Sequence, residues 1–418
     1  MKRYQELIGR INYALFLVML FLLPFPQKAL RYVGIAWIGS WFLDFRWLHK
    51  PSFNFKFSAF NFQLPFIAFG AWFLIKLLSG LWSPDLGAWG WKMVRYLAFG
   101  VLVPVGIWGV NEHYDWLKAG RVWVIGCLVA IPAYIAWMTF VHLHPEIVPY
   151  LNVPDCWENH AGWFDFFSKN ISHFKHRLVL DSVMLLGAVI ALQVYKNKKQ
   201  LAVILPVLLL FIALTDSRQA VLSGCVMAVI LIRRFIPQRW VWHYWAGVVL
   251  LISALCAGLV TMHPRMRDVG LNGLMHMREL SYDHDVRLNI WGAALQQPGD
   301  YLAFGLGAGQ STAYLTKQYE EADLEYYAKA QYNTHNQYLE EMMESGIGGL
   351  LLFIVAWLSI PFCVPKENRL FAILFTVLFM LNMCTECMFG RFCGIMLWAA
   401  GMLFALIASS LSFPSRTA

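Results

Sequence analysis

The stretch Tyr332–Gly349, YNTHNQYLEEMMESGIGG, gathers residue types that can move protons. It closes a long polar segment and leads straight into an apolar run. Thr334, with Gln337 three positions on, has the spacing of a capping box. That spacing predicts His335 in the first turn of a short helix, on the face that Leu339 and Met342 share at i+4 and i+7. Gly346 to Gly349 are expected to break this helix before the next apolar run. The positive end of a helix dipole disfavours a protonated imidazole. A neutral imidazole can accept a proton, so the position suits a general base. The alternative is a polar cap at a membrane surface.

Arg218 is the second candidate. It lies in LTDSRQAVL, in the middle of an apolar stretch from Leu201 to Ile232. Leu201 to Leu214 would make a helix of about 21 Å, short of the ~30 Å hydrocarbon core, which predicts a recessed turn at Asp216–Ser217. A cap from Asp216 or Ser217 would aim helix N-terminal amides and Arg218 at one point, an arrangement that binds phosphate. An Arg218–Asp216 pair or snorkelling to the surface would explain the same residues without a ligand. Arg287, in SYDHDVRLNIWGAAL, shares a helix face with Trp291 if Asp283 or Asp285 caps that helix. Two guanidinium forks would suit a diphosphate leaving group, whereas a lone exposed arginine is a solvated charge. His176 and Arg177 open another apolar span and either snorkel or line the same cavity. FGLGAGQ, Phe304–Gln310, lacks the Lys-Ser/Thr of a phosphate loop and reads as a tight turn or a close backbone approach to a ligand. His142 and His144 have no further ligands at metal spacing, so no metal is expected. Cys384 and Cys387 form a C-x-x-C without a second pair nearby, expected as one helical turn with two small apolar residues.

These groups need a scaffold, and the composition says which kind. The chain of 418 residues is 59% hydrophobic and only 14% charged, too few charges to cover a soluble domain of this size. Apolar runs of about 15 to 22 residues recur throughout, which predicts an all-α polytopic membrane protein. Twelve spans are expected, near residues 10–27, 30–48, 62–82, 92–110, 121–141, 176–195, 200–215, 217–233, 241–262, 346–364, 369–386 and 391–411. The first run lacks a small-residue cleavage site and is expected to stay in the chain. Basic residues cluster at Lys2, Arg3 and Arg10, at Arg46 to Lys56, at Lys196 to Lys199, at Arg233 to Arg239 and at Lys366 with Arg369. These loops fall on one side, which the positive-inside rule makes the cytoplasm. The net charge of +8 is thereby explained by orientation, with no nucleic-acid partner implied, and the 19 Trp and 17 Tyr fit interfacial belts. The opposite side receives two long segments. The expected organisation is N-terminal spans over 1–141, a first periplasmic segment over 142–175, central spans over 176–262, a large helical periplasmic segment over 263–345 between spans 9 and 10, and C-terminal spans over 346–418. No internal repeat of the kind seen in many transporters is evident.

His335–Asn336, nine residues, then Gly346-x-x-Gly349 resembles the signature of the O-antigen ligase and polymerase family of bacterial inner-membrane proteins. Arg218 after a Thr/Ser turn between two central spans, Arg287 shortly before Trp291, and the glycine phrase before the histidine are similar as well. The resemblance covers roughly residues 200 to 400. It implies a donor glycan on undecaprenyl diphosphate, transferred at the periplasmic face to the lipid A core with no metal or cofactor and with inversion. By the same analogy His335 would deprotonate the acceptor, while Arg218 and Arg287 would hold the diphosphate, with Arg177 and Asn336 as further substrate-binding candidates. Leu350–Leu351 stand where some ligases have Thr-Thr, so a polymerase or a protein O-glycosylating relative is the alternative. A lipid-linked glycan transporter is a third reading, disfavoured because the polar groups gather on one side.

Overall fold

The computed structural model describes residues 2–43, 64–108, 113–144, 163–174, 176–250, 280 and 286–406. Among these residues the protein is all helical. The helices are α1 (Lys2–Leu22), α2 (Gln27–Leu43), α3 (Leu64–Leu78), α4 (Leu86–Trp108), α5 (Trp116–Leu143), α6 (Trp163–Phe174), α7 (Arg177–Val194), α8 (Lys198–Leu214) and α9 (Arg218–Arg233). They continue with α10 (Val286–Ala294), α11 (Ser311–Glu321), α12 (Glu325–Ala330), α13 (Gln337–Ser359), α14 (Arg369–Met383) and α15 (Phe392–Leu406). Each expected span overlaps one of them except the ninth, where 241–250 is helical and the remainder lies outside the described residues. Among the described residues, five helical segments are long and apolar enough to cross a membrane: Arg3–Leu22, Leu64–Leu81, Trp116–Leu143, Arg177–Val194 and Gln337–Phe362. α14 and α15 are apolar but shorter.

Short polar residues punctuate the apolar runs. Asp115 caps α5 by accepting from Lys118 N, Asn197 caps α8 through Lys199 N, and Ser217 caps α9 through Ala220 N. Inside the bundle, α7 and α15 carry almost continuous buried faces. A helix apolar all round belongs at the centre of a bundle. Stacked aromatics fill the space between α3, α4, α13, α14 and α15, with Trp357 against Phe379 at 5.0 Å and Phe99 against Trp398 at 4.3 Å. A buried polar ladder runs from Ser223 on α9 to Asn382 on α14 and on to Ser182 on α7, with both bonds at 2.8 Å. In an apolar interior such a ladder fixes the helix register, because each group left alone would be unsatisfied.

A second, smaller core lies in α10–α12. Ile290, Tyr301, Leu315, Tyr319, Leu324 and Tyr327 pack with Met343 of α13. The long polar segment before α13 therefore does carry helices of its own, and α13 belongs to both cores. It begins in the cap and continues into the bundle through a kink at Gly346, whose φ of 69° and ψ of −175° are non-helical. The break thus falls at Gly346 alone, and helix resumes at once, where a stop across Gly346–Gly349 was expected. The glycine phrase explains the kink. Residues 302–309 cross α13 there, with Ile347 N donating to Leu302 O, Leu306 N to Met343 O and Gly307 N to Glu344 O. FGLGAGQ forms the tight turns that were expected, with positive φ at Gly305, Gly307 and Gly309, and its close backbone approach is to the protein's own α13.

Gly305 has a φ of +78°, and a Cβ there would lie 2.4 Å from the backbone of Glu344. Gly305→Ala is expected to destabilise the cap–bundle junction by roughly 1–3 kcal/mol or more. Thermal unfolding in detergent reads this directly, and a melting temperature equal to wild type would contradict the crossing.

Candidate active site

The turn that carries His335 forms differently from the capping box that the sequence suggests. Asn336 is the N-cap of α13, and its Oδ1 accepts from Tyr338 N at 3.0 Å and Leu339 N at 3.1 Å. His335 precedes the cap, outside the helix, with a left-handed φ of 43°. Its face is therefore not shared with Leu339 and Met342. The physical reason is competition for Thr334. Its hydroxyl lies 3.1 Å from Glu340 Oε2 and 3.1 Å from Cys387 Sγ, so it is drawn inward and Asn336 caps instead. Asn333 Oδ1 accepts from His335 N at 3.0 Å and supports the left-handed turn. A non-glycine residue held there is strained, a feature found where surrounding structure imposes a side-chain direction.

That direction is toward Glu386, in the loop between α14 and α15. Glu386 Oε2 lies 3.2 Å from His335 Nδ1 and 3.1 Å from Nε2 of His176, the N-cap residue of α7. Burial alone would push the Glu386 carboxyl up, but hydrogen bonds from His176 and His335 outweigh it and hold the group well below the usual carboxylate range. An ionised carboxylate only accepts, so both facing ring nitrogens carry hydrogen. In neutral His335 this leaves Nε2 as the basic nitrogen, on a side chain that is 27% exposed. His176 is pushed down, first by burial, with the Glu386 hydrogen bond opposing, so it stays a neutral donor. The Glu386–His335 pair has the geometry of an imidazole held by an orienting carboxylate, and His176 holds the carboxylate from the other side. Glu386 and His176 lie on loops or helix ends far apart in sequence. His176 was expected to snorkel or to line the same cavity, whereas for Glu386 the polar T-E-C after a span was the available signal.

A buried ionic cluster fixes the turn from below. Lys76 of α3 pairs with Glu341 and Glu344 of α13, each at 2.8 Å with no exposed side-chain surface. Lys92 of α4 pairs with Glu344 at 3.1 Å and closely with Glu340. Trp72 Nε1 donates to Glu341 at 2.7 Å and Gly309 N to Glu344 at 2.8 Å. Gln337 then donates to Glu341 and accepts from Phe389 N at 2.9 Å, tying the Glu386 loop to the start of α13. Sequence reading passed over Lys76 and Lys92. Their lone charges inside apolar runs were the available signal.

The remaining candidates fall as follows. Arg177 opens α7 beside His176, and its Nη1 donates to Ser168 O at 3.1 Å and to Thr215 O at 3.5 Å. It thereby touches the turn before Arg218. Arg218 sits in the first turn of α9, as its expected cap implies, but it is exposed, and its helix neighbour α8 is longer than expected, 17 residues from Lys198. Among the described residues Arg218 and Asp216 form no ion pair, and Asp216 adopts a left-handed φ of 50° in the turn. Arg287 is exposed on α10, and Trp291, one turn on, donates from Nε1 to Thr334 O at 3.1 Å, so that face of α10 abuts the His335 turn. Asp283 and Asp285 lie outside the described residues. Tyr332 stands beside His335 with ring centroids 6.2 Å apart. Cys384 and Cys387 are free thiols, and Cys387, rather than lying in a helical turn as an apolar residue, reaches Glu340 Oε2 at 3.3 Å. Burial raises its thiol well above the usual range.

Residues 201–354 match the family model described as O-Antigen ligase. No match was found among curated proteins.

Glu386→Gln keeps the shape but removes the charge that orders the two imidazoles. Activity in a purified transfer assay should fall roughly 10²- to 10⁴-fold, as when a histidine base loses its orienting carboxylate. Unimpaired turnover would remove Glu386 from the site. Glu386 stabilises the fold above its ordinary carboxylate pKa, and this contribution is lost only as pH falls through its depressed folded value. Acid unfolding should therefore begin at higher pH in the Gln variant than in wild type.

Proposed function

We propose, from the O-antigen ligase family region and the Glu386–His335 pair, that this protein transfers a glycan from undecaprenyl diphosphate to a hydroxyl of the lipid A core. The site would face the periplasm, and the chain would span the bacterial inner membrane about twelve times. The observation that carries the reading is the oriented imidazole: His335 Nδ1 is engaged by Glu386 and the opposite nitrogen is left to accept a proton.

In the proposed step the acceptor hydroxyl gives its proton to His335 Nε2. Its oxygen forms a bond to the anomeric carbon from the face opposite the leaving group. The bond from that carbon to the diphosphate oxygen breaks, and its electron pair departs with undecaprenyl diphosphate. One displacement inverts the anomeric centre. Arg218 and Arg287 would neutralise the charge that grows on the diphosphate. Both are exposed at the protein surface, so a lipid headgroup can reach them. Arg177 anchors the turn before Arg218 and keeps further N–H donors for the donor phosphates. Asn336 uses Oδ1 in the cap and retains Nδ2 for a substrate oxygen.

His335→Ala is expected to lower transfer at least about 10³-fold while leaving the protein folded and inserted. Full activity in that variant would sink the base assignment. Arg218→Lys should lose about tenfold or more, because a point charge does not replace a fork, and wild-type turnover would argue against diphosphate binding. Chelator added to the purified protein should change nothing. In a deletion strain, loss of every capped lipopolysaccharide form agrees with a ligase, and a cap of a single repeat assigns a polymerase instead.

A further inference from the structure

One polar feature is not used by the transfer chemistry. A cavity of about 640 Å³ lies between α2, α4 and the segment that leads into α15. Arg31, Arg95 and Arg391 line it together with Asn333. Among the described residues no carboxylate pairs with these three guanidiniums. Arg95 Nη1 makes one long bond, 3.4 Å to Gly390 O, and Arg391 Nε is buried with no partner. Three like charges around one cavity, beside a membrane-spanning bundle, repel one another until an anion enters.

The rest of the wall is apolar, and its order along the helices matters. On α2, Arg31 is followed by Ile35 and Ile38 at i+4 and i+7, all lining the cavity. On α4, Trp91 and Val94 precede Arg95, and Leu97 and Ala98 follow it on the same wall. On α2 the polar Gln27 and Arg31 come first and the two isoleucines follow, so along that helix the cavity has a charged end and an apolar end. Trp91, 73% exposed, stands one turn before Arg95 as an interfacial tryptophan would. An amphiphile with a phosphate at one end and a hydrocarbon chain at the other matches this layout. Guanidinium forks suit phosphate oxygens, and the chain would cover surface that water wets poorly.

We propose that this cavity seats the phosphate of a lipid on Arg31, Arg95 and Arg391, with its chain along Ile35, Ile38 and Leu97. Neither Arg218 nor Arg287 lines it, so it is a second lipid-phosphate seat. It shares Asn333 with the His335 turn, since Asn333 Oδ1 holds His335 N at 3.0 Å. The existence of the seat stands apart from the proposed transfer. Its use rests on that reading, in which two lipid-borne molecules must be held at once and this seat takes the acceptor's lipid.

The test is lipid retention by the full-length protein, read by native mass spectrometry after transfer from bilayer discs into detergent. The probes are phosphatidylglycerol, diacylglycerol as the same chains without phosphate, undecaprenyl diphosphate and inorganic phosphate. Wild type should retain phosphatidylglycerol at least about tenfold better than Arg31→Gln/Arg95→Gln, and diacylglycerol poorly. Arg31→Lys/Arg95→Lys should fall between, which separates lost charge from lost folding. Displacement of phosphatidylglycerol by undecaprenyl diphosphate, absent in the Gln variant, would keep the lipid-phosphate seat but overturn its assignment to the acceptor's lipid. Displacement by millimolar inorganic phosphate alone would overturn the lipid assignment. Equal retention by wild type and the Gln variant, with equal melting temperatures, would overturn the seat. The readout is binding, so an inactive His335→Ala protein that still retains lipid leaves this inference intact, and the converse result leaves the base intact.

Discussion

Two lysines and three glutamates meet inside the bundle, and the geometry above them follows from that meeting. Lys76, Glu341 and Glu344 expose none of their side chains, and Lys92 and Glu340 very little. Removing one partner from a buried pair strands a charge, typically at a cost of about 3–5 kcal/mol. The cluster therefore tolerates few alternative arrangements of α3, α4 and α13. Its lone pairs are also satisfied by Trp72, Gln337, Gly309 and Ser311, so the carboxylates are held as well as neutralised. This is a reason for charge in an apolar interior that hydrophobic packing alone would not supply: it specifies which helices meet, and in what register.

The specification travels upward by short steps. Glu340 and Glu344 are one helical turn apart and share a face. Glu340 draws Thr334 and Cys387 toward it, and Gln337 binds the backbone of Phe389. The loop with Glu386 and the turn with His335 are thus fastened to the same two turns of α13. The left-handed backbone at His335 is what remains once its neighbours on both sides have been claimed. Trp291 closes the turn from the cap side. The small helical cap and the bundle are joined through α13 and the glycine crossing, which lets a polar unit outside the apolar region place side chains against a helix that enters it.

Charge placement divides the surface around the imidazole into two regions. Arg218 and Arg287 sit on helices α9 and α10, whereas Arg31, Arg95 and Arg391 line a groove formed by α2, α4 and the approach to α15. The first region touches His335 through Trp291 and through Arg177 with His176, and the second through Asn333. The imidazole thus stands between two groups of cations carried on separate elements.

The sequence by itself determined the all-helical class, the approximate windows of the apolar helices, the helical nature of the polar segment before α13, and the importance of the Tyr332–Gly349 stretch. These follow from local rules: hydropathy over about 20 residues, short polar caps and glycine breaks depend on neighbours along the chain. It also placed Arg218 at a helix start behind Ser217, and Arg287 on the face of Trp291. Tertiary structure decided what those rules cannot reach. The capping spacing at Thr334–Gln337 was outcompeted because Glu340 and Cys387 claim the threonine, a competition visible only when α13 and the 384–391 loop are side by side. Glu386 became the partner of His335 across 51 positions, and Lys76 reached Glu344 across 268. Long-range ion pairs leave no periodic trace in a sequence, because the chain between the partners places no constraint on which charge meets which.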